Sequence, residues 1–249
     1  MKKSNRIHNA VMLSASLLIA SAGIYLLQLW IFRDAKTTVF YLMQDLAFVP
    51  VNVFLVTFFI NQLLSSREKR NKTKKINVTI STFFIEMGTG LIRILSKACA
   101  NKDDIAAILD PNELMKPRNA SLYRKISDAR IDMSCTADVL TELKAYLSEN
   151  KTQISLILEN PHLLEHDSFT DMLWAVFHMS DELNSRDSLD DLPQSDLLHL
   201  AEDARRAYRA LIIEWISYIR YLRAEYPYLH SLAVRRNPFE ENADARILN

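Results

Sequence analysis

Asp45 stands inside an apolar run, in the stretch FYLMQDLAFVPVNVFLVTFFINQLL that begins at Phe40. An ionisable group in hydrocarbon is costly, so it marks a candidate functional position that needs a partner. Asp45, Asn52 and Phe59 are spaced by seven and stay on one face of a helix that turns about 100° per residue. With the acid outermost, an amide midway and a bulky apolar residue innermost, this face could line a pore. In a symmetric oligomer Asp45 would form an acidic ring that attracts cations, and Phe59 a hydrophobic gate. The same residues also have a structural reading. Asp45 lies near a helix start, where it gains from the helix dipole and can reach the headgroups or Arg33 and Lys36, and Asn52 can bond to a neighbouring helix.

A second string with catalytic spacing is His162-Leu163-Leu164-Glu165-His166. The order H-x-x-E-H places two imidazoles on one helix turn with a glutamate as base in certain zinc peptidases. A third ligand is missing apart from His178 and Asp171, so the expectation is a polar helix start after Pro161, with no metal and no cofactor. A third cluster, YPYLHSLAVRRNPF, combines Tyr226, Tyr228 and Phe239 with Arg235 and Arg236. Aromatics and arginines favour binding sites, so this is a candidate docking surface for a protein or for lipid headgroups; otherwise it is a short helix packed on a bundle.

Glycine occurs only as Gly23, Gly88 and Gly90. Neither a phosphate-cradling loop nor a G-x-S-x-G elbow can be built from them, so the chain is expected not to be an enzyme of the common nucleotide or serine-hydrolase folds.

Two apolar runs must position Asp45. Ala10 to Phe32 and Val39 to Leu64 each exceed the roughly 20 residues needed to cross about 30 Å of hydrocarbon. Six residues, Arg33 to Thr38, separate them, which predicts an antiparallel hairpin over residues 1–66. A cleavable signal ending near Ala20-Ser21-Ala22 is the competing reading of the first run, but the run continues through Tyr25, Leu26, Leu27, Leu29 and Trp30. Lys2, Lys3 and Arg6 flank one end, and Arg67, Lys69, Arg70, Lys72, Lys74 and Lys75 follow the second run. The positive-inside rule then predicts both termini in the cytoplasm of a prokaryotic cell whose inner membrane the hairpin crosses. The six cations after the second run are also candidate contacts for anionic lipid.

The formal charge of zero hides a polarity. Residues 1–75 hold 11 of the 30 basic and 3 of the 30 acidic residues, which leaves 19 basic and 27 acidic in 76–249, a net of −8. That balance argues against nucleic acid as a partner. Cys99 and Cys135 form no CxxC pair and are expected as free thiols.

Beyond the hairpin the expectation is all-α. A basic juxtamembrane segment and connecting helix fill 67–100, a helical bundle 101–239, and a flexible tail 240–249. Ile76, Ile80, Phe83, Phe84, Met87, Leu91, Ile94 and Leu95 recur at helical steps, so one helix could continue to Leu95 with its kink at Gly88-Thr89-Gly90. Asp110-Pro111 and Lys116-Pro117 predict a loop. Helices are expected over about 120–134, 136–148, 152–158 and 168–183. Residues 184–196 read as an exposed linker. Ser195-Asp196 would cap a final long helix that runs to about Tyr226, with Glu202 facing Arg206.

The second apolar run with its basic flank, FTDMLWAVFHMSDEL (169–183) and YPYLHSLAVRRNPF (226–239) resemble segments of uncharacterised prokaryotic proteins that pair two membrane helices with a helical cytosolic domain. The resemblance spans most of the chain and brings no activity with it. By architecture the chain is also similar to two-helix membrane effectors of phage defence. The expected function is non-enzymatic, a membrane tether for a helical interaction or sensory domain, with membrane lipid, a second copy of the chain and a cytosolic protein as expected partners. The alternative is a homo-oligomeric cation pore lined by the second run.

Overall fold

A computed structural model of the chain describes residues 2–109, 114, 120–160, 163, 166–240 and 243–246. The fold is all-α, and it divides into two compact units, Met1–Glu68 and Lys69–Asn249.

The first unit holds α1 (Lys2–Phe32) and the start of α2 (Ala35–Phe83). Within them lie two segments long and apolar enough to cross a membrane, and none of either apolar window is buried by protein. Arg33 and Asp34 alone separate the two helices, and Arg33 takes φ 50°, the left-handed region that closes the turn. Asp34 then starts α2: its carboxylate accepts from the backbone N–H groups of Lys36 and Thr37, both at 3.1 Å, and from Thr37 Oγ1 at 2.6 Å. These donors, led by Thr37, hold the Asp34 carboxyl below the usual carboxylate range. Pro50 sits inside α2, where it removes one helical hydrogen bond.

In the second unit α2 widens into a π turn, Phe84–Gly88, before α3 (Thr89–Ala98). Thr89 marks the change of register, since its backbone N–H and its hydroxyl both donate to Phe84 O. The expected kink therefore falls on the five residues that end at Gly88. Glycine is needed there because a Cβ on Gly88 would lie 2.6 Å from Phe83 Cε1 and 2.7 Å from Phe84 Cδ1.

Next come α4 (Lys102–Ile108), α5 (Ala120–Asp128), α6 (Ala137–Glu149), α7 (Lys151–Leu158), α8 (Asp167–Asn184), α9 (Gln194–Glu225) and α10 (Pro227–Arg235). The core is a single cluster into which these helices turn their apolar stripes, with Trp215, Tyr208, Phe83, Phe84 and Phe169 its largest fully buried side chains. Phe83 meets Phe84 and Phe169 edge-on, while Phe84 stacks on Tyr218 with ring centroids 5.1 Å apart.

Several expectations need correction. α4 was not foreseen, and the helix expected over 120–134 stops at Asp128. Arg209 caps it by donating to Ser127 O and Ala129 O. The following residues are then captured by Asn101, whose side chain donates to Arg130 O and accepts from Asp132 N, so that Cys99 and Met133 form the one extended pairing among the described residues. α9 begins at Gln194, one residue ahead of the expected cap. Glu202 pairs with Arg205, and Arg206 with Asp203. The predicted linker is pinned by Arg186, and Leu189 within it is buried. The loop predicted from Asp110-Pro111 and Lys116-Pro117 lies outside the described residues.

Candidate functional site

In the hairpin, Asp45 finds its partner on α1. Tyr25 OH donates to Asp45 Oδ2 at 2.5 Å, a partner on the neighbouring helix that the sequence reading did not name beside the headgroups, Arg33 and Lys36. Asn52 and Phe59, one and two heptads further on, stand exposed. The cations Arg67, Lys69, Arg70, Lys72, Lys74 and Lys75 follow along α2, all exposed except the half-buried Lys72.

The aromatic and basic residues near the C-terminus do not gather into one surface. Tyr226 packs edge-on against Tyr221, and Phe239 turns inward onto Trp215 with centroids 5.2 Å apart. Arg235 donates to Ser231 Oγ and to Ala245 O. The backbone carbonyl of Arg236 accepts from Arg93. Tyr228 is 71% exposed and is the aromatic of this group that remains available to a partner.

Of the H-x-x-E-H string, His162 and Glu165 lie outside the described residues. His166 is the N-cap of α8, its Nδ1 accepting from Phe169 N at 3.3 Å. Cys99 and Cys135 are free thiols, and burial pushes Cys135 up to about 11, which makes it a poor nucleophile.

A dense charged cluster among the described residues lies outside the candidates the sequence offered. It lies between α8 and α9, which run antiparallel here. On α8, His178 and Glu182 are four residues apart; on α9, His199 and Asp203 are four residues apart, so each pair shares one face of its helix. The two faces meet. His178 Nε2 and His199 Nε2 each lie 3.4 Å from Asp203 Oδ2, and Glu182 lies 3.8 and 3.7 Å from the same two nitrogens. Asp203 is only 3% exposed, and its Oδ2 has no hydrogen bond. Arg186 closes one end with a two-pronged bond to Asp196 at 2.6 and 2.8 Å and a third bond to Glu182 at 2.8 Å. That guanidinium holds the Glu182 and Asp196 carboxyls below their ordinary range. The legible signal was the repeat of a histidine-carboxylate pair at i,i+4 on two successive helices.

The matches to known proteins fall along the same division. Residues 2–64 match the model for the MJ1433 N-terminal helical domain, and residues 72–235 match that for the C-terminal helical domain of the uncharacterized protein MJ1433. The uncharacterized protein MJ1433 of Methanocaldococcus jannaschii is 36% identical over 237 residues, and the match covers 94% of each chain. No solved structure matches. Two helical-domain models and a relative aligned over nearly its whole length agree on the assignment: the chain belongs to the MJ1433 family.

Proposed function

We propose that the protein is a non-enzymatic integral membrane protein whose hairpin anchors a helical interaction or sensory domain on the cytoplasmic side. The observation that carries this reading is the unburied apolar surface of α1 and of the first part of α2. Val11–Phe32 is 22 residues long, about 33 Å at 1.5 Å per residue, and Leu18, Ile19, Trp30 and Phe54 are each at least 66% exposed. Water is a poor solvent for such a surface and a bilayer a good one. The basic residues at 67–75 fit a cytoplasmic flank that also touches anionic lipid. A pore lined by α2 is supported less well, since the Asp45 carboxylate already has a partner on α1 within the same chain.

The test is thiol labelling of two single-cysteine variants, Thr37→Cys and Asn71→Cys, in whole and in permeabilised cells, after carbonate extraction of the membranes. The proposal expects protein that resists extraction, labelling of position 37 from outside, and labelling of position 71 only after permeabilisation. Extraction into the soluble fraction, or labelling of position 71 in intact cells, would overturn it. Planar-bilayer recording tests the tether against the pore: cation currents lost in Asp45→Asn would replace the tether reading.

A further inference from the structure

Among the polar side chains of the second apolar run, Asn52 lies nearest the centre. It stands 13 residues from Val39 and 12 from Leu64, about 18–20 Å from either end at 1.5 Å per residue. On the membrane reading proposed above, on which this inference rests, that depth is the middle of the bilayer. Neither water nor headgroups reach it there, and an asparagine stem is too short to reach them. An amide left unpaired in hydrocarbon is costly, so Asn52 calls for a partner.

The hairpin itself does not supply one. Asn52 is exposed, and among the described residues nothing bonds to its amide. The reason lies in the register set by Tyr25 and Asp45. Asn52 follows Asp45 by seven residues and Leu18 precedes Tyr25 by seven. In an antiparallel pair, the face of α1 that offers a hydroxyl to Asp45 therefore offers only an alkyl chain at the depth of Asn52. Leu18 is itself 72% exposed, so the two helices are not closed against each other at that level. Between residues 11 and 64, all of them described, only Tyr25, Gln28 and Thr38 are less than exposed. Val49 and Val56, 48% and 57% exposed, flank the amide three residues before and four after it. These short β-branched side chains lose little freedom when another helix packs on them.

We propose that this face of α2 binds a second copy of the chain, each Asn52 side chain donating its N–H to the carbonyl oxygen of the other. A side-chain amide is donor and acceptor at once, so it is complementary to itself. The positive-inside rule orients both copies alike, which makes the two α2 helices parallel. A twofold axis along the membrane normal then brings Asn52 level with Asn52. Lipid has no polar group at that depth, whereas a second copy carries one there by symmetry. Hydrogen bonds between helices of this kind hold spans together where apolar packing gains little over lipid. The hairpin is then a dimerising anchor that joins two helical domains in one complex.

The test uses the full chain, labelled at its C-terminus with donor or acceptor fluorophore and reconstituted in phosphatidylcholine vesicles. Energy transfer is followed as lipid is added, and subunits are counted by stepwise photobleaching. Flotation of the vesicles shows whether the protein has inserted, and circular dichroism whether each variant is folded. The wild type is expected to pair, as is Asn52→Gln, which keeps the amide. Asn52→Leu should need about tenfold higher density in the membrane to reach half-association. Inserted protein that stays monomeric, a count above two, or equally strong pairing in folded Asn52→Leu would overturn this inference and leave the anchor standing. Protein that does not float with the vesicles would overturn the anchor, and the pairing with it.

Discussion

The hydroxyl of Tyr25 on α1 donates to the carboxylate of Asp45 on α2 across 2.5 Å, and this bond fixes which face of each helix meets the other. If the hairpin lies in a bilayer, as proposed above, a polar contact of this kind contributes about 0.6 kcal/mol on average and up to about 2 kcal/mol between helices. Tyr25→Phe is expected to lower the stability of the hairpin by about 1 kcal/mol. Unfolding the protein in mixed micelles with a denaturing detergent measures this. Asp45→Asn keeps an acceptor and should cost less than Asp45→Leu.

Gly90 tests the packing of the second unit. The ring of Tyr146 lies against its Cα, with the hydroxyl donating to Met87 O at 2.8 Å, and a Cβ at position 90 would come within 2.9 Å of Tyr146 Cζ. Overpacking of this kind costs about 1–3 kcal/mol, so Gly90→Ala should lower the melting temperature. The loss should shrink in the Gly90→Ala, Tyr146→Ala double variant when each is compared with its own background, because the clash is gone.

Much of the helical plan was legible in the sequence, because apolar spacing is a property of the chain itself. The stripe from Ile76 to Leu95 and the long helix before Pro227 follow from it, as do the two apolar runs. What was not legible depended on partners distant in sequence. The end of α5 is set by Arg209, some 80 residues away, and the course of the next residues by Asn101. Tyr25 was not connected with Asp45, since a run of apolar residues gives no rotational phase between two helices. The histidine-carboxylate cluster escaped notice because each pair looks like an ordinary exposed helix pair until α8 and α9 are placed side by side.

Arg186 predicts a dependence on acid. It depresses the Glu182 and Asp196 carboxyls relative to the unfolded chain. A depressed carboxyl contributes stability that is present above its unfolded value, near about 4, and is lost as pH falls through the folded value. Arg186→Met should therefore destabilise the protein at neutral pH, by about 1 kcal/mol for a partly exposed network. The gap between variant and wild type should close below about pH 4. Denaturant titrations at several pH values measure both.

Glu214 predicts the opposite slope. It is buried, its Oε2 has no hydrogen bond, and burial raises its carboxyl, an effect only partly offset by Ser168 and His166. A raised carboxyl contributes stability that is complete below its unfolded value and is lost as pH climbs through the folded one. Glu214→Gln stays neutral throughout. Its stability relative to wild type should rise by about 1.4 kcal/mol for each pH unit between the two values and then level off. A flat difference from pH 4 to pH 8 would show that the carboxyl is not strained.

The wide turn at Phe84–Gly88 is an α-helix that carries one residue more than its path requires. Every residue after it already sits where an unbroken helix would place the residue one number lower. The chain can therefore shed a residue at this point and keep the rest of its architecture. Ile85, 49% exposed, is the one it can lose with the least disturbance to the core. Elsewhere along α2 and α3 a deletion of the same size would turn every following side chain by about 100° and bring polar residues into the core. Length variation among descendants of this fold is thus expected to gather at a single turn.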